Sequence, residues 1–222
     1  MRHDLDMNIR KVSAEALGTS ILLMSIVGSG QMATSLTKDV GLQLLIGAVV
    51  ASLALLLLIT SLGGISGAHF NPVVTLAALA HKGISVVDAI SYIAAQIFGG
   101  IVGVALANLM FNQPALFAAQ TEHSGNNLLL SEVIATAGLV FLIFTAIAQK
   151  KENSIPLLVS AWIGSAYFFT SSSTFANPAV TIARTFTDTF AGIAVASVPG
   201  FIVAQLIGAA LGVLLSKFIS KK

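Results

Sequence analysis

The chain has 222 residues, of which 56% are apolar and only 9% charged, with a net charge of +2 and no cysteine. A soluble domain carries about a quarter charged residues, so this composition excludes an ordinary soluble protein and marks a membrane protein. Disulfides, thiolate metal sites and thiol catalysis are excluded too, and so small a net charge, with no basic run longer than two, excludes nucleic acid as a partner.

Residues 1–11 are polar. The apolar stretch that follows, roughly 13–32, has no small-residue cleavage site and is expected to be a first membrane helix, not a removable signal. A spanning helix needs about 20 apolar residues. Five further segments meet that length: roughly 41–62, 86–111, 129–149, 155–172 and 193–216. Two shorter apolar stretches fall between them, Asn71–Ala80 and Asn177–Phe186. Each opens with Asn-Pro, a helix start in which the Asn side chain caps free N–H groups and Pro fits the first turn. A ten-residue helix covers about 15 Å, half of a roughly 30 Å hydrocarbon core. Both are therefore expected to be re-entrant half-helices whose ends line a wet cavity or are buried in protein.

Charge placement gives the orientation. With the N-terminus inside, Arg2, Arg10, Lys11, Lys82, Lys150, Lys151, Lys217, Lys221 and Lys222 lie inside, and only Lys38 and Arg184 outside. That is a clear positive-inside bias. It predicts a multi-pass protein of the cell's plasma (inner) membrane with both termini cytoplasmic, and the lipid bilayer as a partner.

The two halves resemble each other. Ala94-Ala95-Gln96-Ile97-Phe98-Gly99 before Gly103 matches Val203-Ala204-Gln205-Leu206-Ile207-Gly208 before Gly212, and Gly-x-x-x-Gly spacing lets membrane helices pack closely. Glu15 matches Glu132, and Asn71-Pro72 matches Asn177-Pro178. Three spans per half make an inverted repeat, about 11–111 and 128–217, with broken helices meeting at the midplane. The expected fold is an all-α membrane protein, six transmembrane helices plus two re-entrant half-helices, forming one channel domain over residues 1–222. Two helix N-termini aimed at one point, with the Asn71 and Asn177 amides beside them, repel cations and donate hydrogen bonds to a passing neutral solute.

The stretches Gly64-Ile65-Ser66-Gly67-Ala68-His69-Phe70-Asn71-Pro72-Val73 and Ser173-Thr174-Phe175-Ala176-Asn177-Pro178-Ala179 resemble the paired signature loops of the aquaporin and aquaglyceroporin (major intrinsic protein) family. Ala14-Glu15-Ala16-Leu17-Gly18-Thr19 is similar to that family's first-helix opening. The resemblance implies a homotetramer with one pore per subunit, no cofactor and no bound metal. By offset from the two Asn residues it places four filter positions at Ala51, Ser165 (with a one-residue slip, Gly164 or Ala166), Thr174 and Val180. Water channels usually carry Phe, His and Arg where this chain has Ala51, Ser165 and Val180, and Val73 replaces the usual Ala.

Small, uncharged side chains at the filter widen it and remove a fixed charge. Such a filter is expected to pass small neutral solutes as well as water, and to exclude cations less well. The stretch from Val180 to Arg184, with Asp188 beyond it, resembles a bacterial branch often linked to arsenic resistance. Glycerol-like polyols and neutral metalloid hydroxides such as arsenous acid are thus the expected solutes. Arg184 is expected in the outer vestibule or among headgroups. His69 is expected at the inner pore mouth, His81 and His123 at the surface, and Trp162, Tyr167 and Phe168 in packing. The resemblance implies that Glu15 and Glu132 accept N–H bonds from the re-entrant loops.

Alternatives are a water-selective channel and an ion-coupled secondary transporter, which needs a carboxylate at the substrate site. A Gly-x-Ser-Gly serine nucleophile at Ser66 needs a His base from elsewhere in the bundle.

Overall fold

The computed structural model describes residues 2–221, with side chains from residue 8; the Arg2 side chain and Lys222, both used in the charge count, lie outside the described residues. Among those described there are eight α-helices and no strand: α1 (Arg2–Leu36), α2 (Val40–Ser66), α3 (Pro72–Ala80), α4 (Val86–Met110), α5 (Asn126–Ala148), α6 (Ile155–Phe169), α7 (Pro178–Ala183) and α8 (Val198–Ile219). Long, long, short, long in α1–α4 is repeated in α5–α8.

Five of these helices are long and apolar enough to cross a membrane: α1, α2, α4, α5 and α8. The expected fifth span is shorter than its apolar run. α6 has 15 residues, about 22 Å of helix, because the chain leaves the helix at Thr170 and turns toward α7. A 3₁₀ turn over Glu152–Ser154 lengthens it at the other end. α7 is also shorter than expected. It stops at Ala183 and continues as a 3₁₀ turn over Arg184–Phe186. There the Phe186 carbonyl accepts from the Phe117 N–H at 3.2 Å and from Asn108 Nδ2, also at 3.2 Å.

Each half is closed by one tight helix pair, α1 on α4 and α5 on α8, while α3 and α7 are wedged against both α4 and α8. The repeated glycines make the close approach possible. A Cβ on Gly99 or Gly103 would meet the Ala16 or Ser20 carbonyl oxygen at 2.1 Å. A Cβ on Gly208 or Gly212 would meet the Val133 or Ala137 carbonyl oxygen at 2.5 or 2.7 Å. These are backbone atoms and cannot swing aside. Gly103→Val should therefore cost about 3 kcal/mol or more by overpacking. Gly63→Ala, where nothing lies within 4 Å, should be neutral or mildly stabilising, because alanine is the better helix former. Thermal aggregation of the two variants in detergent checks this contrast.

Outward faces of the long helices carry large apolar side chains, among them Leu53, Leu57, Phe98, Leu214 and Phe218, all more than half exposed. Such faces suit hydrocarbon.

Candidate functional site

The two Asn-Pro pairs stand where the halves meet. Asn71 Oδ1 accepts from the Val73 N–H at 3.0 Å and caps α3. Asn177 Oδ1 accepts from the N–H groups of Ala179 and Val180 at 3.0 and 3.3 Å and caps α7. Pro72 and Pro178 occupy the first helical turns, where a missing N–H costs nothing. The amide ends then cross over. Asn71 Nδ2 donates to the Ala176 carbonyl at 2.8 Å, and Asn177 Nδ2 donates to the Phe70 carbonyl at 2.9 Å. Each loop is thereby pinned to the other, and each amide keeps a second N–H unused.

The loop backbone is held in a costly conformation. Phe70 and Ala176, the residues just before each Asn, have φ of 49° and 46°, and Ala68 and Thr174 have 50° and 44°. This left-handed region is disfavoured for residues with a Cβ. Two buried carboxylates stabilise it. Glu15 accepts from Ser66 Oγ at 2.6 Å, from the His69 and Phe70 N–H groups at 3.0 and 2.7 Å, and from Gln96 Nε2 at 2.7 Å. Glu132 accepts from Ser172 Oγ at 2.7 Å, from the Phe175 and Ala176 N–H groups at 2.9 and 2.8 Å, and from Gln205 Nε2 at 2.7 Å. Gln96 and Gln205 each also donate to a half-helix threonine, Thr75 at 3.0 Å and Thr181 at 2.9 Å. Both carboxylates are remote from Asn-Pro in sequence but adjoin it in space. Each is wholly buried and used by four donors, which leaves it unsuited to binding a transported ion. Ser66, donating to a carboxylate, is no activated nucleophile, and the ring Nδ1 of nearby His69 pairs with Thr75 Oγ1 at 3.0 Å.

A cavity of about 1050 Å³ passes both Asn side chains. At one end it is lined by His81, Glu152 and Lys217, and at the other by Tyr167, Phe175 and Arg184. Of the expected filter positions, Ala51, Thr174 and Val180 line it, and so does His69. Ser165 does not. It is exposed on the far side of α6, its hydroxyl donating to the Ala161 carbonyl at 2.8 Å. The α6 stripe facing the cavity is Val159, Ile163 and Tyr167, spaced by four as one helical face requires. Two bulky side chains thus stand where a small polar one was expected.

Other residues also depart from expectation. Tyr167, expected in packing, and His81, expected at the surface, both line the cavity. His81 is stacked on Phe144 at 4.4 Å between ring centroids, and burial followed by the Lys217 charge lowers its pKa from the ordinary imidazole value. His123 is half-buried, edge-on to Phe175 and Phe201. Burial lowers its pKa as well, and the Arg184 charge pushes the same way. Trp162 packs as expected, its Nε1 donating to the Ala135 carbonyl at 2.8 Å. Arg184 is 9% exposed and borders the cavity, so it does not sit among headgroups.

Comparison with known proteins agrees with this geometry. The profile described as "Major intrinsic protein" matches residues 3–176 and stops one residue before Asn177. Aquaglyceroporin AqpS of Rhizobium meliloti (strain 1021) is 43% identical over 210 residues, 95% of this chain and 90% of that protein. Aquaporin Z of Photorhabdus laumondii subsp. laumondii is 30% identical, over 67% of this chain and 68% of that one. The solved aquaglyceroporin from Plasmodium falciparum shares the fold, with a TM-score of 0.72 at 19% identity over 96% of each chain. The paired half-helices, their crossed asparagines and these matches together show that the chain belongs to the major intrinsic protein family.

Proposed function

We propose that this protein, a channel and not an enzyme, conducts small neutral polyols such as glycerol and neutral metalloid hydroxides such as arsenous acid, with water alongside. One observation carries the reading: a single cavity reaches past both asparagines, and three of its lining side chains, Ala51, Thr174 and Val180, are small and uncharged. The polar atoms available there are few. They are the unused amide N–H groups of the two Asn side chains, since the Thr174 hydroxyl, which has no hydrogen-bond partner among the described residues, is itself enclosed. A hydroxylated solute can exchange bonds with these while its apolar side slides along Ile163 and Val180. The high identity to a protein named an aquaglyceroporin supports the same solute class.

Asn71, Pro72, Asn177 and Pro178 form the midplane, Ala51, Thr174 and Val180 the filter, His69 the inner mouth, and Glu15 and Glu132 the scaffold. The channel is one domain built of two inverted repeats. It lies in the plasma membrane with cytoplasmic termini, as the Lys and Arg distribution favours. Because one chain lines the whole cavity, each subunit of the inferred homotetramer has its own pore.

A second reading has a specific observation in its favour. Ile163 and Tyr167 occupy the α6 side of the cavity, and if they meet Val180 across it, only water passes. Light scattering from proteoliposomes under osmotic, glycerol and arsenous acid gradients separates the two. Solute permeability at least tenfold above protein-free vesicles is the expected result. Fast water flux without solute flux would establish the water-selective alternative.

A further inference from the structure

A wide filter without arginine at position 180 should exclude cations less well, yet the cavity does contain an arginine. The Arg184 guanidinium carbon lies 3.7 Å from the centroid of the Phe175 ring, a cation–π contact over a fixed platform. The platform is fixed because Glu132 holds the Phe175 N–H at 2.9 Å. Arg184 Nε donates to the Ala191 carbonyl, which orients the guanidinium plane. Among the described residues no acceptor takes the terminal Nη1 and Nη2, and no carboxylate pairs with the charge; these nitrogens are not enclosed, and the residue borders the cavity. The Glu132 carboxylate is near enough to attract this charge but forms no ion pair with it, and four N–H donors are left for whatever occupies the cavity.

We propose that Arg184 is a specificity-determining residue of the pore, supplying cation exclusion and solute-binding donors from one helical turn beyond Val180. The inference rests on the channel reading above. Its physical basis is simple. A monovalent cation about 5 Å from the guanidinium, at an effective dielectric of about 20, meets a repulsion equivalent to a factor of roughly 200–300 in occupancy. Hydroxyl oxygens of a neutral solute meet the same group as a hydrogen-bond donor. Displacement along the half-helix therefore separates two properties that an arginine at position 180 would combine. Charge is kept, while the width at Val180 is not reduced.

The test uses the full-length protein in proteoliposomes. Potassium leak is followed with a potential-sensitive dye, and glycerol flux by light scattering on the same vesicles. Arg184→Met and Arg184→Gln remove the charge, and Arg184→Lys keeps it. Both neutral variants should raise potassium leak at least tenfold relative to glycerol flux, and the lysine variant should stay at the wild-type ratio. Neutral variants that conduct glycerol without leaking potassium would overturn the proposal, as would a lysine variant that leaks equally. If only the lysine variant folds, Arg184 is a structural residue and the proposal fails. Absence of glycerol flux from the wild-type protein would instead refute the channel reading, a separate result.

Discussion

Glu132→Ala should abolish the folded channel. The carboxylate serves the Ser172 hydroxyl, two backbone N–H groups and the Gln205 amide, and alanine leaves three buried donors without an acceptor and the Gln205 amide with only its Thr181 bond. Each buried unsatisfied group costs about 1–3 kcal/mol, so the sum is on the order of the stability of a whole domain. The loop cannot relax cheaply to find water, because Thr174 and Ala176 already sit at positive φ and are held there by those bonds. Each such residue stores about 1–3 kcal/mol of strain, which the chain would release by leaving the conformation that caps α7. Glu132→Gln keeps one acceptor oxygen but sets an NH₂ group against other donors, so its loss should be intermediate. Fluorescence-detected gel filtration after heating ranks the three proteins. The order wild type, then Gln, then Ala is expected, and an alanine variant as heat-stable as wild type would show that the carboxylate is dispensable.

The frame of this fold was legible because its main causes are local or repeat at fixed spacing. Asn-Pro is a helix start wherever it occurs, and finding it at 71 and again at 177 within matched surroundings located both half-helices. Gly99 and Gly103, with Gly208 and Gly212, announced close helix packing by spacing alone, while the partners, α1 for α4 and α5 for α8, came only with the fold. Residue faces across a turn were less legible. Ser165 was placed by counting back from Asn177, but the chain between Phe169 and Asn177 turns through left-handed Ser173, Thr174 and Ala176. Counting through such a turn does not preserve a helical face. The stripe Val159, Ile163, Tyr167, spaced by four within α6 itself, was the available signal. Arg184 was ambiguous for another reason. Helical spacing put it two turns beyond Asn177, but only the fold brings Phe175 and the Ala191 carbonyl to it. The carboxylates show the same limit from the other direction, since Glu15 and Phe70 are 55 residues apart and yet share a hydrogen bond.

Val180→Arg should convert the pore toward water selectivity. Val180 is 4% exposed, borders the cavity and lies in the first turn of α7, with its N–H on Asn177 Oδ1. Its backbone is thus fixed, and a longer side chain must extend into the lumen or be buried elsewhere. Burying a guanidinium unpaired is the costlier choice, so it should extend into the lumen and narrow the passage between Ala51 and Thr174. Arg184 follows one turn later, and side chains four apart on a helix stand about 6 Å from each other at their Cβ atoms. Two guanidinium groups at that spacing repel, which drives the new one away from Arg184 and further across the passage. Glycerol and arsenous acid permeabilities should fall at least tenfold, while osmotic water permeability changes by less than threefold, about 0.6 kcal/mol in barrier terms. Combining Val180→Arg with Arg184→Met relieves the repulsion and should restore cation exclusion lost in the single Arg184→Met variant, with solute flux still low. Solute flux unchanged in a folded Val180→Arg channel would mean that Val180 does not border the narrowest part. The constriction would then lie at Ile163 and Tyr167, where Ile163→Ala would be the substitution that raises solute flux.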